Sequence, residues 1–568
     1  ATFLTNPLCT LSKKNIINQA INFHRSGNIS EAIKYYLYFI DQGFVDYRVL
    51  SNYGIILKGL GNLKEAEISL RKAIEIKPDY AIAYLNLGNI LSDLGKLEEA
   101  ELSIHKAIKI KPDYAIAHSN LGLILRGLGK LKEAEISTRK AIEIKSDYAE
   151  AHSNLGIILR GLGKLKEAEV STRKAIEIKP DYAEALSNLG GIMKDFGKYH
   201  TAIKFYSKSL KLNSDLASAK WGLITAKGNI CDWNDQEVHN NWLDKLGIEG
   251  SAINPWDLFV LEDSPQKHLE RSKNLYKEYF IRKEKKINSL KNKKIHIGYF
   301  SSDFRAHPTM YLINSILKLH DKSKFRIFLY SFTPKEDEYT KIAKNSGCIY
   351  RDIKYLSDIQ SSELARKDKL DIAIDLMGYV KNNRMSIFSY RVAPIQINYL
   401  GYPGSVGSDT IDYILADKII IPREYEKFYS EKVIRMPNCY QCNDNQKVIC
   451  KEKIYRKDFN LPDAGFIFAC FNNNYKITKR EFNIWMKLLR KKKDSVLWLY
   501  KSNKRAIENL CKEAQTRNVD PSRLIFANKL PLEQHLARHS LADLAIDTFN
   551  CNGHTTTSDA LWAGLPVL

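Results

Sequence analysis

Three polar segments concentrate the residues of this chain that can handle anions and protons: SSDFRAHPT at 301–309, NNNYKIT at 472–478 and CNGHTTTSD at 551–559. The last runs directly into ALWAG, an apolar stretch that reads as the start of a helix. Unpaired N–H groups at a helix N-terminus, with the positive end of the peptide dipoles behind them, attract anions. His554, Thr555 and Thr556 add side-chain donors there, so a phosphate or pyrophosphate is the natural occupant. His307 lies in the first segment and Lys476 in the second. Singly, such a histidine is more often a structural cap and such a lysine a surface residue. Together they favour an anionic ligand with two phosphates.

These segments must be held by a scaffold. Each follows an apolar run that reads as a buried strand: IHIGYF before SSDF, FIFACF before NNNYK, and LAIDTF before NCNGH. Further strands, FRIFLYSF, DIAIDLMG, PIQINYLG, SVLWLYK and RLIFANK, alternate with helical INSILKLH, KREFNIWMKLLRKK and PLEQHLARHSLA. Such alternation predicts two doubly wound α/β halves, at 295–435 and 436–568. In open parallel sheets ligands gather past the strand C-termini, so two such halves create a cleft between them. LGYPG at 400–404 reads as a tight turn that brings backbone near that cleft. The final GLPVL reads as a strand without its following helix, and position 1 is not Met; the chain therefore reads as a fragment whose second half is incomplete.

The first 214 residues carry a different signal. DYAIAHSNLGLILRGLGKLKEAEISTRKAIEIKSD at 113–147 is nearly copied at 147–181. Gly27, Gly61, Gly95, Gly129, Gly163 and Gly197 fall 34 residues apart, as do Ala32, Ala66, Ala100, Ala134, Ala168 and Ala202. Each unit reads as two amphipathic helices joined at GLGKL. The pattern resembles the tetratricopeptide repeat, an α-solenoid unit, with six copies from 11–44 to 181–214. Asn86, Asn120, Asn154 and Asn188 recur at one helix position. An amide ladder there can grip an extended peptide backbone, which is the preferred reading; hydrogen bonding between repeats is the alternative. Residues 215–294 form a helical cap and connector, and the basic IRKEKKINSLKNKK at 281–294 reads as a solvated helix or linker.

Bulk properties narrow the function classes. The net charge of +22 invites nucleic acid, but much of the lysine recurs at surface positions of the repeats, so no nucleic-acid partner is expected. No run of about eighteen apolar residues exists, and no membrane span is expected. Nine cysteines without disulfide-like spacing, and no secretory signal, suit the cytoplasm. Cys439, Cys442 and Cys450 offer only a lone CxxC, so no metal is expected.

Taken with the repeats, SSDFRAHPT, GYVKNNR, APIQINYLGYPGSVGSDTIDY, YSEKVIRMPNCYQ, CFNNNYKIT and CNGHTTTSDALWAG make the chain resemble the protein O-GlcNAc transferases, in the bacterial form whose GT-B halves adjoin. SPINDLY-like plant relatives, which transfer fucose from a guanosine donor, share this architecture. The resemblance implies transfer of N-acetylglucosamine from its UDP donor to Ser or Thr of protein acceptors, without a cofactor or metal. It implies His307 beside sugar and acceptor, and Lys476 neutralising the departing diphosphate. It implies His554, Thr555 and Thr556 on the pyrophosphate, Asp559 on the ribose, His535 near the uracil, and Lys381 and Arg384 facing the cleft. Asn473, also assigned to the donor site, stands where the animal enzymes carry glutamine, and Leu532 where they carry lysine. GDP-fucose transfer, or a scaffold with an inactive transferase region, are the alternatives, and homo-oligomerisation is left open.

Overall fold

A computed structural model of the protein describes residues 12–280, 287 and 292–568. Most of the basic stretch 281–294, read as a solvated helix or linker, lies outside the described residues. Two compact units result, one running to Asn188 and the other spanning Leu189–Leu568.

The first unit is built of antiparallel helix pairs: Lys13–Arg25 with Ile29–Asp41, Tyr47–Gly59 with Leu63–Ile76, Ala81–Asp93 with Leu97–Ile110, Ala115–Gly127 with Leu131–Ile144, and Ala149–Gly161 with Leu165–Ile178. The 34-residue glycine series has a backbone cause. Gly61, Gly95, Gly129 and Gly163 end first helices at φ of +81°, +69°, +74° and +76°, a left-handed conformation that ordinary residues adopt only with strain. A second series serves close packing. A Cβ on Gly122 or Gly156 would stand 2.0 Å from Oγ1 of Thr138 or Thr172 on the following helix. The alanines at 66, 100, 134 and 168 are fully buried at the same contacts. Enlarging any of these positions would cost on the order of 1–3 kcal/mol in overpacking.

The second unit continues with helices at Tyr199–Leu212, Ala217–Asn229, Gln236–Leu243 and Pro265–Tyr279, and then turns to α/β structure. Seven strands, β1 (Ile295–Ser301), β2 (Phe325–Ser331), β3 (Ile349–Asp352), β4 (Ile372–Asp375), β5 (Ile395–Asn398), β6 (Tyr413–Ala416) and β7 (Lys432–Arg435), form one sheet in the order β3-β2-β1-β4-β5-β6-β7. Four more, β8 (Phe466–Cys470), β9 (Ser495–Tyr500), β10 (Leu524–Ala527) and β11 (Leu544–Ala545), form a second sheet in the order β10-β9-β8-β11. Every named strand pair is parallel. Val567 in the terminal GLPVL bridges Ala545 in parallel, which extends the second sheet past β11.

Parallel sheets must be covered on both faces, and the apolar runs supply both covers. Phe300, Phe328 and Tyr330 pack on one face of the first sheet with Met377 and Phe388. Tyr299, Ile327 and Leu329 pack on the other with Phe304 and Ile313. The connector is sewn to the second sheet's half: Cys231 is buried among Phe482, Trp485 and Leu510, and its Sγ donates to the Asn474 carbonyl at 3.4 Å. Asn503 and Asn509 donate to the carbonyls of Asn229 and Ile230 at 2.8 and 2.7 Å. Among the described residues no helix is long and apolar enough to cross a membrane.

Candidate functional site

Both sheets reverse their strand order once, and the polar segments leave at those reversals. In the first sheet the switch lies between β1 and β4, and in the second between β8 and β11. At such a point neighbouring loops diverge to opposite faces and open a crevice. The loops after β1, β4, β5, β8 and β11 line one cleft of about 430 Å³, which includes His307, Lys381, Gly401, Asn473, Lys476, His554, Thr555 and Thr556.

His307 caps the helix Pro308–Leu319, whose proline fits the first helical position because no N–H is needed there. Its Nδ1 accepts the Thr309 N–H at 3.3 Å and lies 3.3 Å from Oδ2 of buried Asp303. Nδ1 is thus occupied on the protein side, which leaves Nε2 for a ligand. Burial holds the imidazole below the usual histidine range, with Asp303 opposing and Arg305 reinforcing that shift. At neutral pH the ring is uncharged.

Opposite it, the segment CNGHTTTSD forms a compact turn into the helix Thr555–Trp562. No side chain caps the first N–H groups of that helix, so they remain available to an anion. Asp547, just past β11, organises the turn. Its carboxylate accepts the Gly553 N–H at 2.8 Å, Nδ2 of Asn472 at 2.7 Å and the Thr557 hydroxyl at 3.0 Å. Thr556 Oγ1 donates to Asn472 Oδ1 at 2.7 Å. Gly553 is required by this packing, since a Cβ there would stand 2.2 Å from Thr556 Oγ1. Lys476 Nζ reaches over from the β8 loop to the Asn552 carbonyl at 2.8 Å. His554 is held by the Tyr440 hydroxyl, 2.7 Å from its Nδ1. Its crowded place in the cleft wall, and Lys476 beside it, lower its pKa.

Asp375 performs in the first half the task of Asp547 in the second. Fully buried at the end of β4, it accepts the N–H groups of Met377 and Gly378, each at 2.9 Å, and so bends the chain toward Lys381. Burial pushes its carboxyl up to about 6. Lys381 itself is largely exposed, 3.7 Å from Asp195. Neither aspartate was picked out from the sequence, although an Asp at a strand's C-terminal end before a glycine-bearing loop is the signal that marks both.

Three of the expected site residues do not line this cleft. Arg384 does not face the cleft: it bonds Asp358 through Nε at 2.6 Å and the carbonyls of Ile353 and Leu356 at 2.8 and 2.9 Å. With Nε and both terminal nitrogens engaged by a carboxylate and two carbonyls, the guanidinium is held away from the cleft. Asp559 is paired with Lys447 at 2.7 Å, both nearly fully buried, and burial raises its pKa. His535 lies behind the cleft wall, its ring 5.5 Å from that of Phe471, which does line the cleft. Burial and adjacent Arg538 hold it down to about 2, so it is neutral.

In the first unit the asparagine positions are engaged between repeats. Nδ2 of Asn120 donates to Asn89 Oδ1 at 2.8 Å, that of Asn154 to Ser119 Oγ at 3.1 Å, and that of Asn188 to Ser153 Oγ at 3.0 Å. Nδ2 of Asn86 is buried without a hydrogen-bond partner. Among the described residues no group of three or more His, Cys, Asp or Glu is arranged to hold a metal ion, and all eight described cysteines are free thiols.

Comparison with known proteins bears on this arrangement. The family model described as glycosyl transferase family 41 matches residues 263–454 and 453–568. Tetratricopeptide repeat models match 81–114, 149–182, 115–148 and 183–216. A protein of Arabidopsis thaliana named probable UDP-N-acetylglucosamine–peptide N-acetylglucosaminyltransferase SEC is 36% identical over 282 residues, covering 49% of this chain and 29% of that protein. The Caenorhabditis elegans UDP-N-acetylglucosamine–peptide N-acetylglucosaminyltransferase is 29% identical over 388 residues, covering 48% of this chain and 34% of its own. This chain spans about a third of the length of these relatives. A solved O-GlcNAc transferase structure from Thermobaculum terrenum superposes with a TM-score of 0.55 at 23% identity, over 80% of this chain and 82% of that one. That similarity bears out the predicted architecture, a tetratricopeptide solenoid followed by two α/β halves.

Proposed function

The chain belongs to glycosyl transferase family 41, and from that premise we propose that it moves N-acetylglucosamine from UDP-N-acetylglucosamine to Ser or Thr hydroxyls of protein acceptors. The observation that carries this reading is the pairing of Lys476 with the turn Asn552–Thr556, which sets a cation against an uncapped helix N-terminus in one cleft. A donor diphosphate seated on that helix N-terminus meets backbone N–H groups, the Thr555 hydroxyl and His554, while the Thr556 hydroxyl, committed to Asn472, holds the turn in shape. As the bond from the sugar to the diphosphate breaks, negative charge grows on the leaving phosphate. Fixed donors and a cation aimed at that charge act most strongly in the transition state. Neutral His307, on the facing loop, orients the acceptor hydroxyl or the sugar through Nε2. Lys381 adds a second cation at the cleft rim.

The names of the relatives in Arabidopsis thaliana and Caenorhabditis elegans support the uridine donor and the peptide acceptor. The repeats supply the acceptor surface in this proposal. Because three of the amide nitrogens are committed between repeats and that of Asn86 is buried, peptide N–H groups are met by the carbonyl oxygens of the ladder. The test is transfer of labelled sugar to a protein acceptor from UDP-N-acetylglucosamine, with GDP-fucose in parallel. Labelling from the uridine donor that Lys476→Ala abolishes is the expected result. Labelling from GDP-fucose alone, or none from either with intact donor binding, would overturn it.

A further inference from the structure

Between β7 and β8 the chain crosses from the first half to the second, a passage for which a plain linker needs only length. One stretch of it, Tyr440 to Lys447, instead commits four side chains to the two helices that open at the cleft. These are Pro308–Leu319, which His307 caps, and Thr555–Trp562, which carries the donor turn.

On the first half the stretch is tied by backbone and by one carboxylate. The Tyr440 N–H donates to Oδ2 of Asp417, past β6, and the Tyr440 carbonyl accepts the Tyr399 hydroxyl, past β5, each at 2.9 Å. Buried Asp444 accepts Nδ2 of Asn314 at 3.1 Å, the Ser315 hydroxyl, and the Gln446 N–H at 2.9 Å. Asn314 and Ser315 belong to the helix that His307 begins. Three donors on one buried carboxylate make a strong anchor, since bonds to a charged acceptor exceed neutral ones.

On the second half the same stretch follows the donor helix. The Tyr440 hydroxyl stands 2.7 Å from His554 Nδ1. Nε2 of Gln441, itself a cleft-lining residue, donates to Ser558 Oγ at 2.6 Å and to the His554 carbonyl at 3.4 Å. Lys447 pairs with Asp559 at 2.7 Å, and its carbonyl accepts Nε1 of Trp562 at 3.3 Å. Ser558 and Trp562 are four residues apart and share one face of the helix, so the stretch runs along it.

We propose that Tyr440 to Lys447 is a positioning element for the transfer step, which fixes the His307 helix against the donor helix, with Asp444 as its anchor in the first half. The proposal rests on the transferase reading, in which the donor turn holds the diphosphate and His307 orients the acceptor or the sugar. Transfer then needs both helices in register, and a displacement of about 1 Å between them costs roughly a hundredfold in rate. Holding the nucleotide draws on the second half. Asp444 and Lys447 touch no reacting atom and act through the helices they hold.

Kinetics of the whole chain decide this. Asp444→Asn keeps the shape of the anchor and spoils its chemistry, because its new amide donors confront the donors of Asn314 and Ser315. Transfer kcat per folded molecule should fall by about ten- to a hundredfold. KM for UDP-N-acetylglucosamine, and UDP affinity by calorimetry, should stay within about twofold. Ser315→Ala cuts the same anchor more mildly and should lower kcat in the same sense. Gln441→Ala breaks the other end, and joined to Asp444→Asn it should cost no more than the worse single change, since both sever one link. A lowered melting temperature with unchanged kcat would make Asp444 merely structural and overturn the proposal. Losses that multiply in the double variant, or UDP affinity that falls in step with kcat, would overturn it as well. A parent chain that binds UDP but transfers no sugar defeats the transferase reading itself, and this proposal with it.

Discussion

Lys476 Nζ donates to the Asn552 carbonyl oxygen across 2.8 Å, so the loop leaving β8 holds the loop leaving β11 one residue before Gly553. The cation that would meet a departing diphosphate also fixes the turn that would seat it. Lys476→Ala removes both effects at once. Donor turnover should fall by roughly 10²–10³-fold, the range for losing one aimed electrostatic partner. Arginine at 476 keeps the charge and should recover part of the loss. Turnover measured with and without acceptor checks this, and rates unchanged in Lys476→Ala would remove this residue from the mechanism.

Asp547→Ala strikes the turn from beneath. Gly553 N–H, the Asn472 amide and the Thr557 hydroxyl would each lose an acceptor in a half-buried place. A loss of about 1–3 kcal/mol in folding stability is expected for groups left unsatisfied there. Nucleotide affinity should drop together with it, although Asp547 is not among the cleft-lining residues. Urea unfolding and calorimetric titration with UDP read the two effects separately; weakened folding with intact UDP affinity would contradict the positioning role.

Acid should weaken the second half through its buried histidines. Burial, with Arg538 close by, holds His535 down to about 2 and His539 to about 4. In the unfolded chain each imidazole takes up a proton near its ordinary value of 6.5. Folded pKa values lie below unfolded ones, so their contribution is whole above about pH 6.5 and is lost progressively as pH falls toward about 4. Each ring should cost up to about 2 kcal/mol between pH 6.5 and 5. Unfolding free energies at several pH values test this, and His539→Gln should flatten the acid slope. An unaltered slope would place the proton uptake elsewhere.

Arg384→Ala should damage folding and spare the site. It would strand the partly buried Asp358 carboxylate, a loss of about 3–5 kcal/mol for a broken buried pair. UDP affinity of the folded fraction should stay within about twofold. A large affinity loss at constant stability would return Arg384 to the ligand.

Alanine at Asn120 and Asn154 removes one inter-repeat hydrogen bond each, at about 1 kcal/mol apiece. Asn86→Ala removes an unpartnered donor and should cost little or nothing in stability. If the ladder meets acceptors, Asn86→Ala should still raise the apparent KM for protein acceptors while leaving donor hydrolysis unchanged. Equal effects on both reactions would confine the ladder to a structural role.

β1 and β8 were readable because each carries a long, largely apolar run, IHIGYF and FIFACF. β3 and β7 were not, since IYRD and KVIR mix charge with apolar side chains. The phosphate-type loops could be found because strand ends and helix starts mark them locally. Arg384 could not be placed by that logic: its partner Asp358 lies 26 residues upstream, and a basic residue in a loop looks the same in sequence whether it meets ligand or carboxylate. Asp547 was hidden inside LAIDTF, read as all strand, whereas β11 ends at Ala545 and frees the aspartate to bend the chain.

The near-identity of successive repeats makes them interchangeable parts. Thr138 sits over Gly122 as Thr172 sits over Gly156, and Asn154 reaches Ser119 as Asn188 reaches Ser153. Excising residues 147–180 would bring Asn188 to Ser119 across a seam of unchanged chemistry. Length is thus a free variable of the array: whole units can be lost or duplicated by recombination between like sequences, each step altering reach by one rung without a single new contact having to be invented.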